Sequence, residues 1–183
     1  MCWMSGRREQ YSVDIMLRKL QFNSKRDLQD LQLVLEGAPS YSLKISGEVT
    51  SHVAAKETFD ALPPGKTYQD KFVFGLQFGD ELVGCIDVIR GFPDDTTAMI
   101  GLLLIKEEYQ KKGLGKIAYQ ELETFIRTWP TTRAIRIGVV RTNEIVLPFW
   151  KSIGFVETGL RKPYSNGTIV SETIVLEKLF SKA

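Results

Sequence analysis

The chain has 183 residues, of which 43% are hydrophobic and 25% charged, a composition typical of a soluble globular protein and consistent with one domain over 1–183. Its 24 basic and 22 acidic residues leave a net charge of +2, which gives no general case for nucleic-acid binding, since that would need a concentrated basic face. Arg7 and Arg8 precede any long apolar run, so we expect no signal peptide, no membrane span and a cytoplasmic protein. Cys2 and Cys85 are expected to be reduced thiols.

The N-terminal region shows first a strand pattern and then a helix pattern. Alternating apolar residues predict a strand over 14–20. Asn23 or Ser24 then offers a side-chain oxygen that can cap the first turn of a helix. Leucines at helical spacing continue that helix to about Glu36, where a glycine follows and ends it.

A second helical region, less regular than the first, is predicted over 41–44 and 53–62. His52, the only histidine in the chain, lies in this region. A histidine is a candidate base near neutral pH, but no partner for His52 is identifiable from the sequence. An exposed or capping role is the alternative.

Two strand patterns follow, over 71–78 and 81–90. The Gly79-Asp80 pair between them suits a two-residue hairpin turn, because such turns need residues that accept positive φ. We therefore expect the two strands to be antiparallel neighbours.

Asp87 is an acid on an otherwise apolar strand face. The two-residue period of a strand places it beside Val83, Cys85 and Ile89. A carboxylate in such surroundings either has a hydrogen-bond partner or has its pKa raised into a range useful for proton transfer. Both a structural and a catalytic role for Asp87 stay open.

A strand, a polar loop and a glycine-marked helix start lie at the centre of the chain. Residues 99–105 are almost entirely apolar, which predicts a central strand covered on both faces. Gly113 and Gly115 then open a helical pattern. The unpaired N–H groups at the start of a helix favour binding of a phosphate. Lys111, Lys112 and Lys116 flank the start of this helix. The alternative is a strand-to-helix turn with a solvated basic edge.

Two known phosphate-binding motifs fit this loop poorly. A P-loop needs a glycine and a Ser or Thr where the chain has Gln110 and Ile117. Residues 113–118 match the dinucleotide form G-x-G-x-x-A, but seven residues separate them from the strand. That motif also requires an acid near the end of the next strand, where the chain has Arg141.

The C-terminal part predicts a strand over 134–140, a helix capped by Asn143, and two last strands over 155–160 and 169–179. A loop over residues 161–167 would join these two strands, with Asn-Gly as the hairpin signal at its end. A proline at position 148 would lie five residues inside the predicted helix, where proline is unfavourable.

Residues 110–115, QKKGLG, resemble the Q/R-x-x-G-x-G/A loop of the GNAT superfamily, the acetyl-CoA-dependent N-acetyltransferases. A second segment agrees with this family, because residues 141–155 resemble its R-x-N-x-x-A-x-x-F-Y-x-x-x-G-F pattern at the right distance downstream. The resemblance covers roughly residues 71–178. Where many members have a tyrosine that protonates the departing thiolate, this chain has Trp150, whose indole can only donate a hydrogen bond.

The resemblance implies an α/β (α+β) fold with a mixed, largely antiparallel sheet of about seven strands and flanking helices. It also implies that the pantetheine arm enters where the central strand and the strand after the long helix splay apart. The residues expected to hold acetyl-CoA are Leu103, Leu104, Ile105, Gln110, Lys111, Lys112, Gly113, Leu114, Gly115, Lys116, Asn143 and Trp150.

The implied activity is transfer of an acetyl group to an amine acceptor of unknown identity, with a small-molecule amine favoured over a protein. Candidate bases are Asp87, Glu108 and His52, and the backbone N–H near Leu104 would bind the developing oxyanion. No metal, nucleic acid or membrane is expected, and the protein would be a monomer or homodimer. A non-catalytic acyl-CoA sensor and a dinucleotide-binding module are the alternatives.

Overall fold

Seven strands lie side by side in one mixed sheet within residues 15–180, which are the residues described by this computed structural model. In chain order the strands are β1 (Ile15–Lys19), β2 (Lys71–Phe78), β3 (Glu81–Arg90), β4 (Thr97–Ile105), β5 (Ala134–Val140), β6 (Val156–Asn166) and β7 (Ile169–Leu179). Their order across the sheet is β1-β2-β3-β4-β5-β7-β6, and all neighbours are antiparallel except the parallel pair β4 and β5. The predicted fold class is confirmed.

Five α-helices within residues 15–180 pack against this sheet. They are α1 (Lys25–Glu36), α2 (Pro39–Ser46), α3 (Ala54–Asp60), α4 (Leu114–Ile126) and α5 (Leu147–Ser152), with short 3₁₀ turns at Glu107–Tyr109 and Arg141–Val146. None of the helices in the described residues is both long enough and apolar enough to cross a membrane. Cys2, Arg7 and Arg8, on which some predictions depend, lie outside the described residues. A single domain over 1–183 stays a prediction.

Two apolar clusters cover the two faces of the sheet. On one face, α1 and α3 pack on strand side chains such as Val73 and Cys85. On the other face, α4 packs on the side chains that alternate with these along the strands, such as Phe74 and Ile86. Cys85 is a free thiol at 1% exposure, and burial raises its pKa, so it is a core residue as predicted.

The N-terminal predictions are confirmed. The Ser24 Oγ accepts a hydrogen bond from the Asp27 N–H at 3.2 Å and caps α1. The β2–β3 hairpin has the predicted bounds, with a two-residue turn. One detail is wrong, because β3 contains a register shift near Val83, which therefore packs on the face opposite to Cys85.

The central strand is less covered than predicted. β4 pairs with β5 only from Thr97 to Ile100, and beyond that point the two parallel strands diverge. A bulge lies at the same place, because Asp87 pairs with Leu102 while the next β3 residue pairs with Ile100. Gly101 is the extra residue and is exposed. The prediction of a strand covered on both faces is therefore wrong for the middle of β4.

Two predictions about the C-terminal part are also wrong. Asn143 does not cap a helix but lies in the 3₁₀ turn with non-helical φ and ψ of −113° and 25°. The helix begins at Leu147, which places Pro148 in its first turn, where no intrahelical N–H is needed. Residues 161–166 belong to β6 rather than to a loop, and Pro163 is tolerated there because β6 is an edge strand.

Candidate functional site

A cleft opens where β4 and β5 diverge, and the first turn of α4 lies beside it. A Cβ built on Gly115 would have Phe149 at 3.6 Å and Leu103 at 3.8 Å as its nearest neighbours. The helix start thus lies between β4 and α5. Because β4 keeps β3 on one side only, its residues after Ile100 have no strand partner on the β5 side. An extended ligand can pair with that free edge.

The loop between β4 and α4 presents a row of free backbone N–H groups. The Gln110 side-chain amide donates to the Ile105 carbonyl at 2.8 Å and holds the loop on the end of β4. Lys111 and Gly113 have positive φ of 60° and 80°, which curls the backbone. Within the described residues, no N–H from Lys111 to Gly115 donates a hydrogen bond. Such a concave row of donors at a helix start binds anions.

The side chains around this row fit a phosphate group. Lys111, Lys112 and Lys116 are exposed and form no ion pair with a described residue. Gly115 has no positive φ, and a Cβ on it would make only ordinary contacts, so no neighbour in the fold requires glycine there. Glycine in a helix is less stable than alanine by about 1 kcal/mol. A glycine at this position leaves the backbone open to close approach by an external group.

A second concave region lies on the opposite face of β4, with a volume of about 600 Å³, and is called the acceptor cavity after the role proposed for it below. Its walls come from α2, residues 48–51, α3 and Asn166 at the end of β6. Asp87, Gly101, Leu102 and Leu104 form its floor at the bulge. The loop of residues 110–115, called here the anion-binding loop, and the acceptor cavity therefore lie against opposite faces of the same segment of β4, residues 102–105.

Asp87 has a buried cationic partner. The Lys71 Nζ lies 2.8 Å from each Asp87 carboxylate oxygen and 2.8 Å from the Ala61 carbonyl oxygen. Burial raises the pKa of Asp87 above its ordinary value, although the Lys71 charge and hydrogen bonds act to lower it. A Cβ on Gly101 would lie 2.8 Å from Asp87 Oδ2, so glycine at the bulge leaves room for this carboxylate.

The other candidate bases do not lie at the cavity floor. Glu108 is exposed in the 3₁₀ turn after β4 and is not among the residues that line the acceptor cavity. His52 is exposed in a separate groove beside α1, with Leu28 and Val53. The geometry therefore places only Asp87, of the three predicted bases, on the acceptor cavity.

The predicted acetyl-CoA residues fall into three places. Leu103, Leu104 and Ile105 lie on the divergent part of β4, and residues 110–116 form the loop and the first turn of α4. Asn143 is half-buried after β5. Trp150 is only 3% exposed. Its ring packs edge-on against Tyr119, Phe149 and Phe155. The structure gives Trp150 a core role, and its contact with a ligand stays a prediction.

Lys71 is the residue that sequence reasoning missed. The signal was available in the β2–β3 hairpin, because the register places Val73 opposite Asp87 and Lys71 opposite Ile89. Lys71 and Asp87 are thus diagonal neighbours on one face of the sheet. A strand lysine diagonal to a buried acid predicts an ion pair.

The carbonyl end of α2 is held by residues distant in the chain, an arrangement called here the α2 clasp. The Thr168 N–H donates to the Ser46 carbonyl at 2.8 Å, and the Tyr164 hydroxyl donates to the Ile45 carbonyl at 2.9 Å. The Thr142 hydroxyl donates to the Lys44 carbonyl. The clasp fixes α2 over the end of the β6–β7 hairpin and closes one side of the acceptor cavity.

No group of three or more His, Cys, Asp or Glu side chains within the described part of the chain is placed to hold a metal ion.

Solved structures with the same fold include several acetyltransferases. An acetyltransferase from Thermus thermophilus is 25% identical, with a TM-score of 0.66 over 89% of this chain and 96% of that one. The ribosomal-protein-S18-alanine N-acetyltransferase from Escherichia coli is 15% identical, with a TM-score of 0.68 over 93% and 96%. The PaiA N-acetyltransferase from Thermoplasma acidophilum, solved with coenzyme A, is 20% identical, with a TM-score of 0.63 over 91% and 99%.

No curated protein matches the chain significantly. The model of the acetyltransferase (GNAT) family matches residues 41–155, which is more than half of the chain. That range contains both the loop of residues 110–115 and the splayed strands β4 and β5. The chain belongs to the GNAT acetyltransferase family.

Proposed function

We propose that the protein transfers the acetyl group of acetyl-CoA to a small-molecule amine by direct attack. One observation carries this proposal: the anion-binding loop and the acceptor cavity flank the same segment of β4 from opposite faces, just beyond the point where β4 leaves β5. A thioester on one side and an amine on the other could react there. The coenzyme A in the related Thermoplasma acidophilum structure supports this choice of ligand.

The loop would hold the pyrophosphate of the coenzyme. The free N–H groups from Lys111 to Gly115 would donate to its oxygens, and the exposed lysines would add charge. The amides of the pantetheine arm would pair with the free edge of β4 at Leu103–Ile105. The family resemblance adds Asn143 and Trp150 beside this arm.

Acetyl-CoA would supply an activated acetyl group, and the residues of this chain would control charge and protons. An amine acceptor has a pKa near 10 and must lose a proton before its nitrogen can attack. Asp87, on the floor of the acceptor cavity, would accept that proton, directly or through water. The carbonyl oxygen would accept a hydrogen bond from the β4 backbone near Leu104. As the C–N bond forms and the C–S bond breaks, the nitrogen loses its second proton to solvent, and the thiolate takes a proton from solvent.

A sensor that binds acyl-CoA without turnover is the second candidate. One observation favours it, because both Asp87 oxygens already accept hydrogen bonds from Lys71, which limits the capacity of Asp87 as a base. The same loop and cleft would bind the ligand in either case. A dinucleotide-binding module would prefer NAD over coenzyme A. We further propose a cytoplasmic protein, monomeric or homodimeric.

A thiol-release assay with acetyl-CoA tests the proposal across polyamines, amino acids, aminoglycosides and peptides. We expect acetyl-CoA to bind in calorimetry and at least one amine to release free thiol in a stoichiometric, acceptor-dependent reaction. Tight binding of coenzyme A without release of thiol for any acceptor would identify a sensor. Preference for NAD or ATP over coenzyme A would contradict both candidates.

A further inference from the structure

We propose that the acceptor is a short aliphatic amine that carries a second positive charge several bonds from the reacting nitrogen. This inference rests on the proposed acetyl transfer and specifies its acceptor. It is carried by the charges on the walls of the acceptor cavity. The 18 lining residues include three carboxylates, Glu48, Glu57 and Asp87, and no lysine, arginine or histidine.

Two of these carboxylates have no cation beside them. Lys71 balances Asp87 at the floor. Glu48 and Glu57 form no ion pair with any residue in the described range, and the neighbouring Lys56 pairs with Asp60 instead. The walls of the cavity therefore carry the two negative charges of Glu48 and Glu57, in addition to the Asp87 charge at the floor.

The two carboxylates without an ion-pair partner lie on different walls. Glu57 is on the face of α3 that also presents Ala54, Thr58 and Ala61 to the cavity, at helical spacing. The Glu48 carboxyl carbon would lie 3.2 Å from a Cβ on Gly167, which places it against the β6–β7 hairpin. A ligand whose amine reaches Asp87 at the floor would extend its other end between these walls, where a second cation is favoured.

The volume of the cavity and its one closed side favour a short acceptor. A volume of about 600 Å³ exceeds the space needed by a simple primary amine and suits a small organic molecule. The α2 clasp closes the side next to the hairpin through hydrogen bonds to the Ile45 and Ser46 carbonyls. A polypeptide acceptor could not cross this side without breaking the clasp, whereas a short diamine would not need to.

Three acceptors that share one reacting group test the proposal: 1,5-diaminopentane, 1-aminopentane and 5-aminopentanoate. Their distal groups are cationic, neutral and anionic, and their chains have equal length. We expect kcat/KM for the diamine to exceed that for 1-aminopentane by about tenfold, because two carboxylates attract the distal ammonium. We expect 5-aminopentanoate to be the poorest acceptor. Added salt should reduce the preference.

Charge-neutral variants locate the effect. Glu48→Gln and Glu57→Gln should each lower the ratio of diamine to monoamine kcat/KM by about threefold. Glu121→Gln removes an equal charge from an exposed position of α4 that does not line the cavity, and it should leave the ratio unchanged. Turnover of all three amines at equal kcat/KM would overturn this inference alone. Binding of coenzyme A with no turnover of any amine would overturn the proposed acetyl transfer and this inference together.

Discussion

Asp87 lies between the Lys71 ammonium group and the bulge of β4. Its carboxylate is buried, accepts two hydrogen bonds from Lys71 and lies directly under Gly101 at the bulge of β4. Burial raises its pKa, which brings a carboxylate closer to the range of a useful base. The ion pair limits this effect and at the same time fixes the direction of the carboxylate.

We expect Asp87→Asn to lower turnover by about 10²-fold or more, because an amide cannot accept the proton of the acceptor amine. Affinity for coenzyme A should stay unchanged, since Asp87 faces the acceptor cavity and not the loop. Steady-state kinetics and calorimetry measure the two quantities separately. Full activity in a folded Asp87→Asn variant would leave Asp87 with a structural role only.

Lys71→Met provides the contrast for this prediction. It keeps the Asp87 carboxylate but leaves it buried without a cation, which typically costs about 3–5 kcal/mol of folding free energy. A carboxylate with a raised pKa favours the folded state most below the ordinary pKa of 3.8, and this contribution is lost as the pH rises. The loss of stability in Lys71→Met should therefore be smallest in acid. Urea denaturation across pH measures it.

Gly115 separates stability from ligand binding. Gly115→Ala should leave the free energy of unfolding unchanged or raise it by up to about 1 kcal/mol, because alanine favours the helix and its Cβ meets no close neighbour. Coenzyme A affinity should fall by about tenfold or more, since the methyl group would occupy the space next to the free N–H groups. Calorimetry and thermal unfolding give the two results. Unchanged affinity would place the pyrophosphate elsewhere.

β4 is the element that brings both halves of the site together. Its first four residues pair with β5 and build the sheet, and its last residues leave β5 and create the cleft. The bulge at Gly101 marks the change and lies against Asp87. Successive side chains then face opposite sides, with Leu103 toward α4 and Leu104 toward the acceptor cavity.

The α2 clasp depends on a glycine in the β6–β7 turn. Gly167 has a φ of 54°, and a Cβ on it would clash with the Ser46 carbonyl oxygen of α2. Gly167→Ala should lower the free energy of unfolding by about 2 kcal/mol, from backbone strain and from the clash. It should also raise KM for the amine acceptor several-fold and leave KM for acetyl-CoA unchanged.

Gly159→Ala is the matched control for this variant. Gly159 lies on β6, which leads into the same turn, and also has positive φ, at 82°, but a Cβ on it would meet no atom within 4 Å. It should lower stability by about 1 kcal/mol through strain alone and leave acceptor KM unchanged. Equal effects of the two substitutions on acceptor KM would show that the clasp does not shape the cavity.

The whole domain is held together partly by ion pairs between elements far apart in the chain. Glu123 on α4 accepts hydrogen bonds from Lys178 on β7 at 2.6 Å and from Arg127 at 2.6 Å. Burial acts to raise the pKa of Glu123, but the hydrogen bonds that it accepts and the Lys178 charge outweigh burial and hold the pKa below its ordinary value of 4.5. The hydrogen bond from Lys178 attaches α4, which begins at the anion-binding loop, to β7 near the β6 edge of the sheet.

We expect Glu123→Gln to lower the free energy of unfolding by about 1 kcal/mol near neutral pH. A carboxylate with a lowered pKa stabilises the folded state above its unfolded pKa, and this stability is lost as the pH falls through the folded pKa. The difference between wild type and variant should therefore close below pH 4.5. Glu121→Gln, on the exposed face of the same helix, should show no such difference at any pH.

Much of this molecule can be read from local patterns in the chain. The bounds of β2, β3 and β5, the cap at Ser24 and the glycine loop before α4 are all predictable, because each depends on residues within a few positions of one another. The two ordered segments at 110–115 and 141–155 also indicate the family. Errors arise where a local signal is overridden, as at Asn143, where the helix begins four residues after the predicted cap.

Other features depend on residues that meet only when the sheet is assembled. The Lys71–Asp87 pair joins two strands, the divergence of β4 from β5 joins segments on either side of α4, and the Thr168–Ser46 contact spans more than a hundred residues. Local sequence patterns do not predict such contacts, because the contacts follow from strand order and register rather than from the helix or strand propensity of nearby residues. The walls of the acceptor cavity come from elements at opposite ends of the chain. The shape and the charge of the cavity therefore depend on these long-range contacts.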